Sequence, residues 1–223
     1  MMLMVITWLG LSAFEIETKQ MENEVRLVVD PYQNETGLRF PRTLAAQLVL
    51  SSRDHEDQNN VEAVEGNGEK PFIVDGPGEY EINGVFVYGI EAPRLGKKEG
   101  SKEAHTIWRI ESEGMSLAHL GAMNRELTSD ELGQLPSIDI LMIPVGGNDV
   151  MTQKMAMSTI EKIEPRIVIP MYYGLPGVKQ ELADLAIFLR EHAGAKTEEL
   201  PKLKIKKADL PPEDMLTKIL TRA

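Results

Sequence analysis

Cysteine is absent from the 223 residues, which excludes disulfides, thiolate-bound zinc and a cysteine nucleophile. Histidine is scarce, at four in all, so any metal would depend on those few imidazoles together with Asp or Glu. No apolar run approaches the roughly 20 residues that a bilayer-spanning helix needs. An excess of positive charge is missing too. The formal net charge is −11, and Lys202–Lys207 is the one locally basic stretch. That balance opposes nucleic-acid and anionic-membrane binding and favours solubility. The opening Met1-Met2-Leu3-Met4-Val5-Ile6-Thr7-Trp8-Leu9-Gly10 has no basic n-region and runs into Glu15 and Glu17, so it reads as a first strand rather than a signal sequence. The expected location is the cytoplasm, with which the lack of cysteine agrees.

What is present suffices for a core: 42% of the chain is hydrophobic, and its length fits one large domain or two small ones. No linker or repeat divides it, so residues 1–223 are expected to form a single domain. The first half reads as strands. Val5–Leu9 and Ala13–Glu17 flank a Gly10-Leu11-Ser12 turn, and the β-branched Val25–Val29 ends at Asp30-Pro31. Pro41–Gln47 reads as a short helix with proline at a permitted early position, followed by a buried strand at Leu48–Ser51. Pro71–Val74 follows a Gly66-Asn67-Gly68 loop. Asn83-Gly84 between alternating residues marks a hairpin, Gly96–Lys102 an exposed loop, and Glu113-Gly114 the turn of a second hairpin formed by Ile107–Ile110 and Met115–His119.

Beyond this the texture alternates strand with helix. Thr128-Ser129-Asp130-Glu131 has the form of a capping box. Ile138–Ile143 and Arg166–Ile169 read as strands, and Thr152–Ile163 as a helix. Val178–His192 has apolar residues at helical spacing, with a stop at Gly194. Leu203–Lys206 reads as an edge strand; Met215–Leu220 fits either strand or helix. Strands first, then strands alternating with helices, suggest two packed sheets with helices outside.

One stretch concentrates reactive side chains. Directly after Leu48-Val49-Leu50, the polar turn Ser51–Asn60 gathers Arg53, Asp54, His55, Glu56 and Asp57 where a buried strand ends, which is where an enzyme would keep metal ligands.

This turn, with Ile6-Thr7-Trp8-Leu9-Gly10, Asp30-Pro31-Tyr32, Gly78-Glu79-Tyr80-Glu81, His119-Leu120-Gly121, Ile143-Pro144-Val145-Gly146-Gly147 and Ile169-Pro170-Met171, resembles the metallo-β-lactamase superfamily. The nearest branch is that of small metal-dependent hydrolases akin to ascorbate-phosphate lactonase. The landmarks fall in the family's order along nearly the whole chain. The resemblance implies an α/β (α+β) fold, a four-layer αββα sandwich with its site at one edge. It also implies two metal ions sharing a hydroxide nucleophile. The family's H-x-H-x-D-H signature falls on Arg53, His55, Asp57 and Gln58, so one histidine and the aspartate remain. A later histidine, expected near Ala92–Gly100, is absent. The bridging aspartate falls on Ala122 and the last histidine ligand on Tyr172, while Leu11 and Ala13 stand where this branch often has His and Cys.

His55 and Asp57 supply fewer than the three protein ligands a catalytic zinc usually keeps, and the permanently charged Arg53 repels a cation. The expectation is therefore no metal cofactor. Arg53 would take over the positive charge, pairing with Asp57 or capturing an anion, with Gln58, Tyr172 and His119 as further ligand-binding candidates. Structural roles stand beside these: His55 as a hydrogen-bonded loop residue, Asp57 as a cap for turn amides, Tyr172 and Tyr173 as packing. His105 and His192 read as incidental, the latter suited to a helix C-terminus. Glu79 and Glu81 read as one face of a strand, and Gly146-Gly147-Asn148 lacks the lysine of a phosphate loop. Three functions follow. The favoured one is a non-catalytic member of the fold binding a small anionic ligand or a protein partner. The second is a hydrolase of small, phosphorylated esters or lactones, with His55 and Asp57 holding one Zn or Mn as residual catalytic candidates. The third is a structural subunit, including a homo-oligomer.

Overall fold

The alternation of buried and half-buried residues along the first strands sets the layer order. In β1 (Met4–Gly10), Met4, Ile6 and Trp8 are buried and alternate with half-buried Val5 and Thr7. In β2 (Ala13–Gln20), Phe14, Ile16 and Thr18 alternate with Glu15 and Glu17. Period-two alternation of this kind gives a strand one core face and one polar face.

The computed structural model describes residues 3–20, 23–192 and 196–223. The chain continues through β3 (Asn23–Val29), β4 (Ala45–Ala46), β5 (Leu48–Leu50), β6 (Glu65–Gly66) and β7 (Phe72–Val74) to β8 (Gly78–Ile82) and β9 (Val85–Glu91). Then come β10 (Arg94–Leu95), β11 (Lys102–Glu103), β12 (Thr106–Ser112), β13 (Met115–His119), α1 (Ser129–Gly133), β14 (Ile140–Pro144), α2 (Gln153–Ile163) and β15 (Ile167–Met171). The last elements are α3 (Leu185–Glu191), β16 (Lys196–Leu200), β17 (Leu203–Ile205) and β18 (Leu216–Leu220).

One sheet has the order β17-β1-β2-β3-β5-β7 and the other β16-β18-β15-β14-β13-β12-β9-β8; β4 with β6 and β10 with β11 form separate two-stranded pairs. The sheets are stitched together by Thr18 Oγ1 and Ser112 Oγ at 2.6 Å, while Glu113 Oε1 accepts from Lys19 N at 2.9 Å. From β13 through β14, β15 and β18 to β16 the pairing is parallel. Every residue of β14 and β15 is buried, as expected of parallel strands covered on both faces. The α/β fold class read from the sequence is thus the architecture found.

Both hairpins turn where expected, with Asn83, Gly84, Glu113 and Gly114 all at positive φ, as a two-residue turn of this hand requires. The capping box is also present. Thr128 Oγ1 accepts from Glu131 N at 3.3 Å, Glu131 Oε2 accepts from Thr128 N at 2.8 Å, and Arg125 grips both Glu131 oxygens. Thr128→Ala is expected to cost about 1 kcal/mol, a melting temperature lower by roughly 2–4 °C in a chain of this size, measurable by thermal unfolding.

Two helices read from the sequence are corrected. Pro41–Gln47 is not helical: Ala45 and Ala46 pair in parallel with Glu65 and Gly66. Gln47 N donates to Arg26 O, and Gln47 Oε1 accepts from Arg26 N, both at 2.9 Å. Extended pairing on both sides overrides the helical preference of Ala and Leu. The helix placed at Val178–His192 shrinks to Leu185–Glu191, with the Asp184 side chain capping Ala186 N at 2.7 Å. The preceding segment instead hydrogen-bonds to loops at the site edge, through Ala183 N to Gly146 O at 2.7 Å and Lys179 N to Thr36 O at 2.9 Å. The stop at Gly194, like Met1 and Met2, lies outside the described residues. Met215–Leu220 resolves as strand β18, inserted between β15 and β16.

Candidate functional site

The chain turns sharply where the strands end at one edge of the sandwich. Leu11, Asp30 and Tyr172 follow β1, β3 and β15, and each has φ in the left-handed region, at 48°, 51° and 55°. Non-glycine residues there are uncommon and concentrate at functional edges. The ends are tied to one another: Tyr172 N donates to Leu11 O at 3.1 Å and Asp30 N to Leu50 O at 2.8 Å. The polar turn after β5 closes on itself through Gln58 N to His55 O at 2.8 Å and Ser51 Oγ to Gln58 O at 2.9 Å.

Asp57 is the centre of this turn and is fully buried. Its Oδ2 accepts from Arg53 Nη2 and from the Tyr172 hydroxyl, and its Oδ1 pairs with His55 Nδ1 at 2.8 Å. Burial alone would raise the carboxyl pKa. The His55 hydrogen bond and the Arg53 charge outweigh it and hold Asp57 well below the usual carboxylate range. Asp57 is therefore an ion, and the Tyr172 hydroxyl beside it is pushed well up by burial and by that negative charge. Arg53 has a second anchor in Gln58, whose Oε1 accepts from Nε at 2.7 Å.

Behind this pair lies a second buried layer. Gln58 Nε2 donates to Asp30 Oδ2 and lies 3.1 Å from Ser12 Oγ, while Asp30 Oδ1 accepts from Ser52 N at 2.8 Å. Burial pushes the Asp30 carboxyl up to about 7 even against these hydrogen bonds. His119 is wholly buried, with Nε2 donating to Ser12 O at 2.8 Å and Nδ1 accepting from Gly121 N at 3.3 Å. That pattern is a neutral imidazole, in line with a pKa that burial lowers to about 4.

His105 and His192, read from the sequence as incidental, occupy different settings. His105 is buried, and neither ring nitrogen has a hydrogen-bond partner. A Cβ at Gly121 would meet His105 Nε2, Ser52 Oγ and Gln58 Nε2 within 3.0 Å, which places His105 inside the site cluster. Burial and the Arg53 charge lower its pKa to about 3. His192 is buried against Phe188 with Nε2 2.9 Å from Thr217 Oγ1, and burial lowers its pKa, so it is a neutral packing residue and not a charge complementing the helix dipole.

In front of the cluster opens a cleft of about 810 Å³ lined by Arg53, His55, Arg94, Lys97, Glu103 and Gln180 among others. Of the sequence-derived candidates, Arg53 and His55 reach this cleft, whereas Gln58, Tyr172 and His119 are buried and are not among its lining side chains. Ala122, Leu11 and Ala13 are buried apolar residues. Arg94 is a participant that the sequence did not single out: it sits on a short strand in a charged segment, and nothing in its neighbours distinguishes it from a solvated arginine.

Among the described residues no group of three or more His, Asp or Glu is placed to hold a metal ion. His55 and Asp57 are adjacent, but both Asp57 oxygens are already engaged.

A family model described as the beta-lactamase superfamily domain matches residues 5–172. A UPF0173 metal-dependent hydrolase of Methanopyrus kandleri is 27% identical over 206 residues, covering 80% of this chain and 88% of the relative. A UPF0173 protein of Pyrococcus abyssi is 26% identical, covering 78% of this chain and 85% of the relative. The crystal structure of a candidate Zn-dependent hydrolase of the metallo-β-lactamase superfamily from Thermotoga maritima superposes with a TM-score of 0.75 at 24% identity, covering 97% of this chain and 98% of that one.

Proposed function

The chain belongs to the metallo-β-lactamase superfamily, and we propose that within it this protein is a non-catalytic member whose remodelled edge binds a small anionic ligand through Arg53. The observation that carries the reading is the Arg53–Asp57–Tyr172 cluster. Hydrolysis in this superfamily, as the sequence resemblance implies, relies on metal-bound hydroxide, and a metal supplies that chemistry by lowering the pKa of bound water and polarising the substrate. The residues here do not fit such a centre. A guanidinium and a phenol hydroxyl occupy Asp57 Oδ2, Ala122 offers no donor atom, and His119 spends both ring nitrogens on Ser12 O and Gly121 N. A fixed cation beside a buried carboxylate supplies the positive charge without a metal.

The names of the relatives favour a second reading, a metal-dependent hydrolase, in which His55 and Asp57 hold one zinc or manganese and the small esters or lactones implied by the sequence resemblance are the substrates. Untagged protein dialysed against zinc or manganese at neutral pH and then assayed for bound metal separates the two. Well under one ion per chain is the expected result. Near-stoichiometric, tightly held metal, together with ester hydrolysis abolished by His55→Ala, would overturn the non-catalytic reading.

A further inference from the structure

Arg94 is almost completely buried, yet its Nε and Nη1 have no hydrogen-bond partner. Only Nη2 is used, donating to Asp149 O. Buried donors left unmade are costly. Arg53, its neighbour in the cleft wall, directs Nε to Gln58 and Nη2 to Asp57, which leaves Nη1. Both free edges converge on one atom: Glu103 Oε2 lies 3.7 Å from Arg53 Nη1 and 3.7 Å from Arg94 Nε. That separation is too long for a hydrogen bond. The carboxylate neutralises the two guanidinium groups without satisfying either.

The side chains differ in freedom. Arg53 and Arg94 are 8% and 4% exposed, whereas Glu103 is 43% exposed. Glu103 is the cross-strand partner of Arg94 in the β10–β11 pair, whose connecting loop carries Gly96 and Gly100 and is solvent-facing over most of its length. Two fixed cations therefore share one loosely held anion at the mouth of a cleft. Burial, and after it the charge of Arg53, lowers the pKa of Arg94, so a second negative group would be welcome there.

We propose that Arg53 and Arg94 form a two-guanidinium site for a compact oxyanion head group, phosphate or carboxylate, and that Glu103 occupies it as a built-in stand-in until the ligand displaces it. Paired guanidinium edges match the planar or tetrahedral oxygens of such groups. The exposed Asp54, Glu56 and Asp149 on the same cleft outnumber the exposed Lys97 and disfavour polyanions, so the remainder of the ligand is neutral or cationic. This inference rests on the edge being a binding site, and adds the residue that reads the anion and the one that competes with it.

The test is calorimetric titration of the untagged protein with inorganic phosphate, and separately with malonate, in low-salt buffer. Wild type is compared with Glu103→Gln and Arg94→Met, and bound metal is measured on the same samples. Glu103→Gln, at an exposed side chain, keeps the fold and removes the competitor. It is expected to tighten binding about tenfold; Arg94→Met is expected to abolish it. A tighter response to phosphate than to malonate assigns a phosphate head, and the reverse a carboxylate. If Glu103→Gln only lowers the melting temperature and produces no binding, Arg94 and Glu103 are a structural pair and the inference falls. Binding that ignores both substitutions overturns it equally. Stoichiometric metal and ester hydrolysis lost in His55→Ala, found together with Glu103-sensitive phosphate binding, would remove the non-catalytic reading and leave this site standing.

Discussion

Asp57→Ala is expected to destabilise the fold by about 3–5 kcal/mol, because it strips the partner from a buried cation. Asp57 is fully buried, and the Arg53 side chain bound to it is only 8% exposed. The substitution also leaves the Tyr172 hydroxyl and His55 Nδ1 without their acceptor. The shift in melting temperature should be on the order of 10 °C for a chain of this size. The cost is asymmetric: the double substitution Arg53→Met with Asp57→Leu should recover much of it, since removing both charges removes the unpaired ion as well. Urea unfolding of the three proteins decides the matter. A loss below about 1 kcal/mol for Asp57→Ala would mean the pair behaves as a solvated surface bridge.

Asp30 leads to the second large effect, on the dependence of stability on pH. Its folded pKa is raised by burial to about 7 from the ordinary carboxyl value of 3.8, so the folded state keeps a proton that the unfolded chain has already released. The contribution is fully present below the unfolded value and is lost as pH rises through the folded one. Three units correspond to about 4 kcal/mol between pH 4 and 7. His119 and His105 act in the opposite sense. Their folded values are lowered to about 4 and about 3, so the unfolded chain gains protons below its ordinary histidine pKa that the native state refuses, and stability falls on acidification. The opposing slopes overlap and partly cancel in the wild type. Asp30→Asn is expected to gain about 4 kcal/mol relative to wild type as pH is raised from 4 to 7, whatever constant offset its altered hydrogen bonds with Gln58 and Ser12 introduce. Denaturant titrations at several pH values read this directly, and a difference that stays flat with pH would refute the assignment.

The sequence carried the strand positions of the first half well, because those strands alternate with period two and are separated by turns with unambiguous chemistry, as at Asn83-Gly84 and Glu113-Gly114. It misled at Pro41–Gln47 and Val178–Asp184, where residues fit for a helix are drawn into extended pairing or loop contacts by partners distant in sequence. It was silent at β16, whose Lys196-Thr197-Glu198-Glu199 is largely exposed and shows no apolar alternation. The candidate site was suggested by the polar turn after Leu50. The mutual arrangement of Arg53, Asp57 and Tyr172 was not, because the last of these arrives 115 residues after Asp57. His105 and Arg94 gave no signal at all, since what sets them apart is burial with ring or guanidinium nitrogens left without hydrogen bonds, a property that only the folded chain possesses.

The hydrogen bonds that converge on Asp57 also bear on how this protein can change over generations. Asp57 holds Arg53, Tyr172 and His55; Arg53 is held in turn by Gln58, and Gln58 reaches Asp30. A single replacement at any of the buried members strands a polar partner away from water, at a cost comparable to a large share of a domain's total stability. The first step away from the present arrangement is therefore the most harmful one, and later steps become tolerable only after it. Replacements at Arg53 and Asp57 should therefore be tolerated together more readily than singly.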